Sequence, residues 1–114
     1  KSVVSTNVRG DEEFVRVYRG YDDDGKKLKP SGDWIMNKSD IEGLSASEIK
    51  QKYALPGVPT HMVDVNPTRG THVNVGEASA NGYGAGGGRQ WYLDKKIGEE
   101  ESKWFKNPRK INGK

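Results

Sequence analysis

The sequence predicts a small α+β domain with a mostly antiparallel β-sheet and one or two short helices. Short runs rich in β-branched and aromatic residues recur along the chain, and loops containing Gly and Pro separate them. The length of 114 residues is typical of one domain. We therefore expect a single domain over residues 1–114, with a core at about 14–94 and a C-terminal tail at 95–114. In that tail, Trp104 and Phe105 are expected to dock as a last strand or as a hydrophobic peg.

The predicted elements follow the order of the chain. Strands are predicted at residues 14–18, 34–36, 60–65, 71–76 and 89–93. Ser45 and Glu48 form the Ser-x-x-Glu capping box that begins a helix, and Pro56 ends this helix. The turn-forming segment 66–70 lies between two predicted strands, so these strands are expected to pair as an antiparallel hairpin.

The composition excludes several classes of protein. The chain has no cysteine, which rules out thiolate zinc sites, disulfide bonds and thiol nucleophiles. No stretch approaches the ~20 apolar residues of a membrane-spanning helix, so no membrane partner is expected. The net charge of +3 and the isoelectric point of about 9.1 indicate a mild attraction to anionic ligands. No His and carboxylate residues have metal-ligand spacing, so no metal is expected.

Two segments place a polar side chain at the end of a strand. In Val17-Tyr18-Arg19-Gly20 an arginine stands beside a glycine, where its guanidinium can bind phosphate or ribose oxygens in a bidentate manner. The same pattern also fits a surface arginine on an edge strand. His61 opens a strand after a corner fixed by Pro59, so it either faces a cleft or bonds to backbone. His72 is expected to be exposed.

The third segment is the glycine-rich run Gly82-Tyr83-Gly84-Ala85-Gly86-Gly87-Gly88-Arg89-Gln90. It contains GxGxxG spacing, but a strand follows it rather than a helix, so it is not the dinucleotide fingerprint. The Gly-Lys-Ser/Thr ending of a phosphate-binding P-loop is absent as well. Three successive glycines allow a flat ligand to lie against the backbone beside the amide of Gln90. The alternative is a flexible hairpin loop.

Taken in order, these segments resemble the family of the tuberculosis necrotizing toxin, a set of secreted NAD+ glycohydrolase domains with an ADP-ribosyltransferase-like fold. The likeness covers about residues 14–94. It depends on Arg19-Gly20, on Tyr53-Ala54-Leu55-Pro56 followed by His61, on the strand–turn–strand pattern from Val65 to Gly76, and on Gly86-Gly87-Gly88-Arg89-Gln90-Trp91. The last of these motifs is the most specific.

The resemblance implies a role for each matched position. It assigns Arg19 to the phosphates or nicotinamide-side ribose of NAD+, gives His61 an orienting role, and places Gln90 where transferases keep their catalytic glutamate. These three are the candidate catalytic residues. The residues expected to bind the NAD+ substrate are Tyr18, Gly20, Trp34, Thr60, Gly86, Gly87 and Gly88, of which Trp34 stacks on the ligand. Gly88 stands where arginine-modifying transferases carry a second carboxylate, so hydrolysis is favoured over transfer to a protein or RNA acceptor.

Domains of this kind also occur at the C-termini of contact-dependent and Rhs-type bacterial toxins, which travel with an immunity protein. The resemblance therefore implies a secreted toxin domain that acts in the target-cell cytoplasm, and an immunity protein that plugs its cleft. Two alternatives remain open. One is a barnase/EndoU-like toxin ribonuclease that uses His61 as base, with Arg19, Thr60 or His72 in support; the other is a non-catalytic binding module. The ribonuclease gains support if the predicted hairpin brings His61 and His72 together.

Overall fold

The computed structural model describes residues 3–111 and consists of an antiparallel sheet with short helices beside it. The strands of the described chain are β1 (Val4–Asn7), β2 (Phe14–Tyr18), β3 (Trp34–Asn37), β4 (His61–Val65), β5 (His72–Glu77), β6 (Arg89–Leu93) and β7 (Phe105–Lys110). The helices are α1 (Ala46–Tyr53) and the single turn α2 (Glu99–Ser102), with a 3₁₀ turn at Lys38–Asp40. The strand order is β1-β5-β6-β3-β2-β4-β7. This architecture confirms the predicted α+β class and the mostly antiparallel sheet.

Helix α1 begins with the capping box that the sequence predicts. The hydroxyl of Ser45 accepts a hydrogen bond from the Glu48 amide at 3.1 Å, and the Glu48 carboxylate accepts one from the Ser45 amide at 2.8 Å. The helix ends at Ala54, whose φ of 52° lies in the left-handed region. Ile49 and Tyr53, one turn apart, are both buried and point the apolar side of α1 at the sheet.

The core has two parts because successive residues of β2 face opposite sides of the sheet. Val15 and Val17 pack against Ile49 and Tyr53 of α1, which cover one face. Phe14 belongs to the cluster on the other face. The remaining buried members of that cluster are Val8, Ile35, Val63, Val65, Val73, Leu93 and Phe105.

The predicted hairpin of β4 and β5 was wrong. β4 pairs with β2 and β7, whereas β5 pairs with β1 and β6, so β2, β3 and β6 lie between them. Other parts of the chain hold the connecting segment: the Asn66 amide donates to the Trp104 carbonyl at 2.9 Å, and the Gly70 amide donates to the Val8 carbonyl at 2.7 Å. Strands from the two ends of the chain occupy the edges at which the hairpin would have formed.

The sheet extends beyond residues 14–94 at both ends. β1 pairs with β5, where Val4 lies opposite Val75, and β7 pairs with β4, where Phe105 lies opposite Val65. The tail therefore docks as an edge strand with Phe105 buried, which is one of the two outcomes expected for it. No helix among residues 3–111 is long and apolar enough to cross a membrane.

The sheet splits between β2 and β3, and this split positions the candidate site. The two strands pair at only two positions, Phe14 with Asn37 and Val15 with Met36. From Arg16 onward, β2 has a ladder partner among the described strands only on the β4 side. A strand that parts from its neighbour in this way leaves a cleft open to solvent inside the sheet.

Candidate active site

A cleft of about 800 Å³ opens at the split in the sheet. Its walls come from the end of β2, from β3, from one residue of β6 and from three loops: the loop that follows α1, the loop before β3 and the loop that follows β5. Four predicted site residues line it together, namely Tyr18, Arg19, Trp34 and Gln90. These residues are far apart in the sequence, so the fold creates their proximity.

Arg19 stands where β2 ends, and the loop after α1 passes beside it. A Cβ atom built on Gly57 would lie 3.3 Å from the Arg19 Cδ, so that loop packs closely against the arginine stem. The guanidinium Nη2 lies 2.9 Å from the carboxylate of Asp23, which is 91% exposed. The Arg19 side chain is itself 44% exposed. An ion pair this exposed is weak, so an anionic ligand can take the place of Asp23.

Thr60, His61 and Gly20 form a small cluster beside Arg19. The Gly20 amide donates to the Thr60 hydroxyl at 2.9 Å, and this hydroxyl lies 2.7 Å from His61 Nδ1. A Cβ atom on Gly20 would lie 2.5 Å from His61 Cε1, so the imidazole packs directly on the glycine backbone. His61 also stacks at a tilt on Tyr18, with ring centroids 5.6 Å apart. Neither His61 nor Thr60 belongs to the cleft lining, so their contact with Arg19 runs through Gly20.

Trp34 and Gln90 form a wall made by the paired strands β3 and β6. Trp34 is 48% exposed, and its ring lies 4.8 Å from the ring of Tyr92. Gln90 lies opposite Gly76 in the β5–β6 ladder, so the β5 residue directly across from it has no side chain. The wall thus offers an aromatic face and an amide, which suit a planar ligand that carries hydroxyl groups.

The three successive glycines lie outside the cleft lining and pack against α1 instead. The amide of Gly86 donates to the Gln51 carbonyl at 2.9 Å, and that of Gly88 donates to the Lys52 carbonyl at 3.0 Å. A Cβ atom on Gly88 would lie 2.5 Å from the Tyr53 ring, which leaves no room for a side chain. Direct contact of this run with a ligand has no geometric support; the glycines allow the loop to seat Gln90 at the start of β6.

Arg16 and Tyr53 also line the cleft, although neither was among the predicted site residues. Arg16 was detectable, because it is a charged residue in the middle of an otherwise apolar and aromatic strand. Burial lowers the pKa of its guanidinium, and the charge of Asp33 acts in the opposite direction. Burial raises the pKa of the Tyr53 phenol to about 12, and its hydroxyl has no hydrogen-bond partner among the described residues.

The charge of the cleft is positive. Arg16, Arg19 and Lys29 line it, and the lining contains no Asp or Glu among the described residues. Apolar side chains such as Val17, Met36 and Leu55 make up much of the remaining surface. Within residues 3–111, no group of three His, Cys, Asp or Glu is placed to hold a metal ion. The arrangement is suited to an anionic ligand with flat apolar parts.

The two histidines lie in different halves of the sheet. His61 begins β4 and His72 begins β5, and these strands are not neighbours. His72 Nδ1 lies 3.3 Å from the Asp94 carboxylate, and both side chains are about half exposed, at 46% and 55%. The prediction that His72 is exposed is confirmed. The facing histidine pair that would have favoured a ribonuclease is not formed.

Comparison with known proteins identifies a structural neighbour. No family model matches the sequence, and the curated proteins give no significant match to it. Among solved structures, the chain is similar to "Rhs1-CT in complex with cognate immunity protein RhsI1", with a TM-score of 0.68 and 15% sequence identity. The likeness covers 100% of this chain and 84% of that chain. At this level of identity, it shows that the two domains share a fold.

Proposed function

We propose that this chain is an enzymatic toxin domain that binds NAD+ in the cleft between β2 and β3 and hydrolyses its nicotinamide–ribose bond. The observation that carries the proposal is the meeting of Arg19, Trp34 and Gln90 in one positively charged cleft of about 800 Å³. Pockets for small ligands commonly have volumes of about 300–1,000 Å³, so a dinucleotide is of suitable size. The proposal includes the ADP-ribosyltransferase-like arrangement that the sequence resemblance implies.

The proposed division of labour follows from the chemistry of each side chain. NAD+ carries a pyrophosphate, for which the fork of Arg19 is a bidentate partner. Trp34 offers a half-exposed aromatic face for a planar ring. The Gln90 amide can donate to or accept from the ribose hydroxyls or the attacking water. Together these contacts would hold the ribose and the ring in a fixed relation, and such positioning lowers the activation barrier.

The reaction balances with water as acceptor. The electron pair of the glycosidic bond leaves with the nicotinamide nitrogen, and the water oxygen bonds to the anomeric carbon. The water proton passes to solvent, so NAD+ and water give nicotinamide, ADP-ribose and a proton. Gly88 provides no carboxylate two residues before Gln90, and the cleft lining has none elsewhere among the described residues. A site without a carboxylate to activate a protein acceptor favours hydrolysis over transfer.

The proposed biological setting is bacterial competition. The neighbour of the same fold is a C-terminal Rhs domain that was solved with its cognate immunity protein. By analogy at the level of fold, we propose that this chain is secreted within a larger toxin, acts in the target-cell cytoplasm, and has an immunity protein of its own. An inhibitor that covers the mouth of the cleft, where Trp34 and Arg19 are half exposed, would block access to the substrate.

The test is the consumption of NAD+ by the purified domain and by Arg19→Ala and Gln90→Ala variants. Loss of turnover in both variants, but not in Arg69→Ala, supports the assignment, because Arg69 is exposed and does not line the cleft. Turnover that requires an added protein or RNA acceptor would replace hydrolysis with transfer. An absence of turnover under both conditions would overturn the proposal.

A further inference from the structure

Arg16 carries the only charge of strand β2 and lies where the sheet splits. The flanking residues Val15 and Val17 are buried in the core beneath α1. Val15 is the last residue of β2 that pairs with β3, so Arg16 is the first that does not. A long cationic side chain at this position needs partners, because an unpaired charge in a partly buried site is costly.

Among the described residues, the hydrogen-bond acceptors of the Arg16 side chain both lie in the segment that leads into β3. Its Nε donates to the Pro30 carbonyl at 3.2 Å, and its Nη1 donates to the Trp34 carbonyl at 3.3 Å. Between these two residues, Gly32 lies flat against the guanidinium: a Cβ atom there would be 2.2 Å from Cζ. The Arg16 side chain therefore contacts every second residue of this segment, at positions 30, 32 and 34.

The same segment is fixed on its other side by β6. The Leu93 amide donates to the Asp33 carbonyl at 2.8 Å. Residues 30–34 are thus held between β6 and the Arg16 fork, in the place where the β2–β3 ladder has stopped. Trp34 is the last residue of this segment, and it carries the aromatic face of the cleft.

We infer that Arg16 is a positioning residue for the proposed reaction, one that sets the place of Trp34 by bracing residues 30–34 across the split. The expected effect on kinetics rests on the proposed function. The contacts of Arg16 with residues 30–34, which we call the brace, do not depend on it. A lysine at position 16 keeps the charge in the cleft wall but cannot reach two carbonyls with a planar fork. Arg16→Lys therefore separates bracing from charge.

The first test is independent of any activity. Amide hydrogen exchange of residues 31–36 is expected to rise in Arg16→Lys. Arg109→Lys is the matched control, because Arg109 also makes two hydrogen bonds, to the Asn107 carbonyl at 2.8 Å and the Asp64 carboxylate at 3.0 Å, and lies outside the cleft. Unchanged exchange in Arg16→Lys, or an equal rise at residues 31–36 in Arg109→Lys, would overturn the brace.

The second test is a double-mutant cycle on KM for NAD+. Arg16→Lys alone is expected to raise KM by about 10-fold, since small displacements of positioning groups have large effects. If Arg16 acts through Trp34, the same substitution in a Trp34→Ala background changes KM by less than about two-fold, because coupled residues are not additive. Additive effects would show that Arg16 acts on the substrate directly. If the wild-type chain does not consume NAD+, the proposed function fails, and the exchange experiment still decides the role of Arg16.

Discussion

The hydroxyl of Thr60 accepts a hydrogen bond from the amide of Gly20 at 2.9 Å, and this contact ties the start of β4 to the end of β2. The same hydroxyl lies 2.7 Å from His61 Nδ1, so it can donate to the ring while it accepts from the backbone. Arg19 directly precedes Gly20. The Thr60–His61 pair thus fixes the backbone from which the proposed phosphate-binding side chain extends.

Removal of the Thr60 hydroxyl is expected to reduce activity through Arg19. Thr60→Val keeps the shape of the side chain but leaves the buried Gly20 amide without its acceptor. We expect kcat/KM for NAD+ to fall by about 10-fold, mostly through a higher KM, because the arginine is misplaced rather than lost. Steady-state kinetics on Thr60→Val and Thr60→Ser check this. Thr60→Ser retains the hydroxyl and should stay close to wild type; equal losses in both would argue against the hydrogen bond.

Gly20→Ala is expected to destabilise the fold, and the cause can be identified. The new Cβ would lie 2.5 Å from His61 Cε1, so the imidazole has to move. Overpacking of this kind costs about 1–3 kcal/mol in the free energy of unfolding. Urea denaturation of Gly20→Ala, of His61→Ala and of the Gly20→Ala/His61→Ala double variant measures this loss of stability. The double variant should recover part of the loss; if it is less stable by the simple sum of both effects, the clash is not the cause.

Asp23→Ala is expected to tighten substrate binding. The Arg19 Nη2 donates a hydrogen bond to Asp23 Oδ1 at 2.9 Å. Asp23 thus places a negative charge where the pyrophosphate is proposed to bind. The pair is exposed and contributes at most about 1 kcal/mol, so KM should fall by no more than about five-fold. The difference should shrink as salt is added. Asp24→Ala, which removes a neighbouring loop charge outside this ion pair, is the control; the same fall in KM there would indicate a general effect of loop charge.

Tyr53→Phe is expected to leave stability unchanged or to raise it by about 1 kcal/mol at neutral pH, because the buried hydroxyl has no partner among the described residues. Burial, together with the charge of Asp40, raises the pKa of Tyr53 to about 12. The unfolded chain loses the proton first, near a pKa of about 10, so this residue destabilises the fold as the pH rises from about 10 to about 12. Thermal denaturation against pH checks both points. Exposed Tyr83→Phe is the control; an alkaline loss of stability that is as steep in Tyr53→Phe as in wild type would contradict the assignment.

The local elements were predictable because their causes lie within a few residues. The capping box of Ser45 and Glu48 fixes the start of α1, and the apolar β-formers of β2 form the strand that they predict. The pairing of strands was not predictable in the same way, since ladder hydrogen bonds involve only the backbone. Residues 66–70 have the composition of a hairpin turn. The flanking strands nevertheless do not pair with each other, because β1 pairs with β5 and β7 pairs with β4.

The site was predictable only in part, because some of its features come from local sequence and others from tertiary contacts. Arg19, Trp34 and Gln90 do meet in one cleft. The glycines before Gln90 were expected to receive the ligand, but their close contacts with α1 and the Tyr53 ring are tertiary and have no sequence signature. Arg16 left a local signal, a charge within a central strand, whereas its bracing contacts depend on where the sheet splits.

The most direct test of the central claim is the reaction of the purified chain with NAD+ in the absence of any other protein or nucleic acid. The account predicts nicotinamide and ADP-ribose in equal amounts, and loss of both products in Gln90→Ala. Intact NAD+ after prolonged incubation with a folded and soluble sample would contradict the account. Degradation of tRNA by that same sample, abolished in His61→Ala, would establish the ribonuclease in its place.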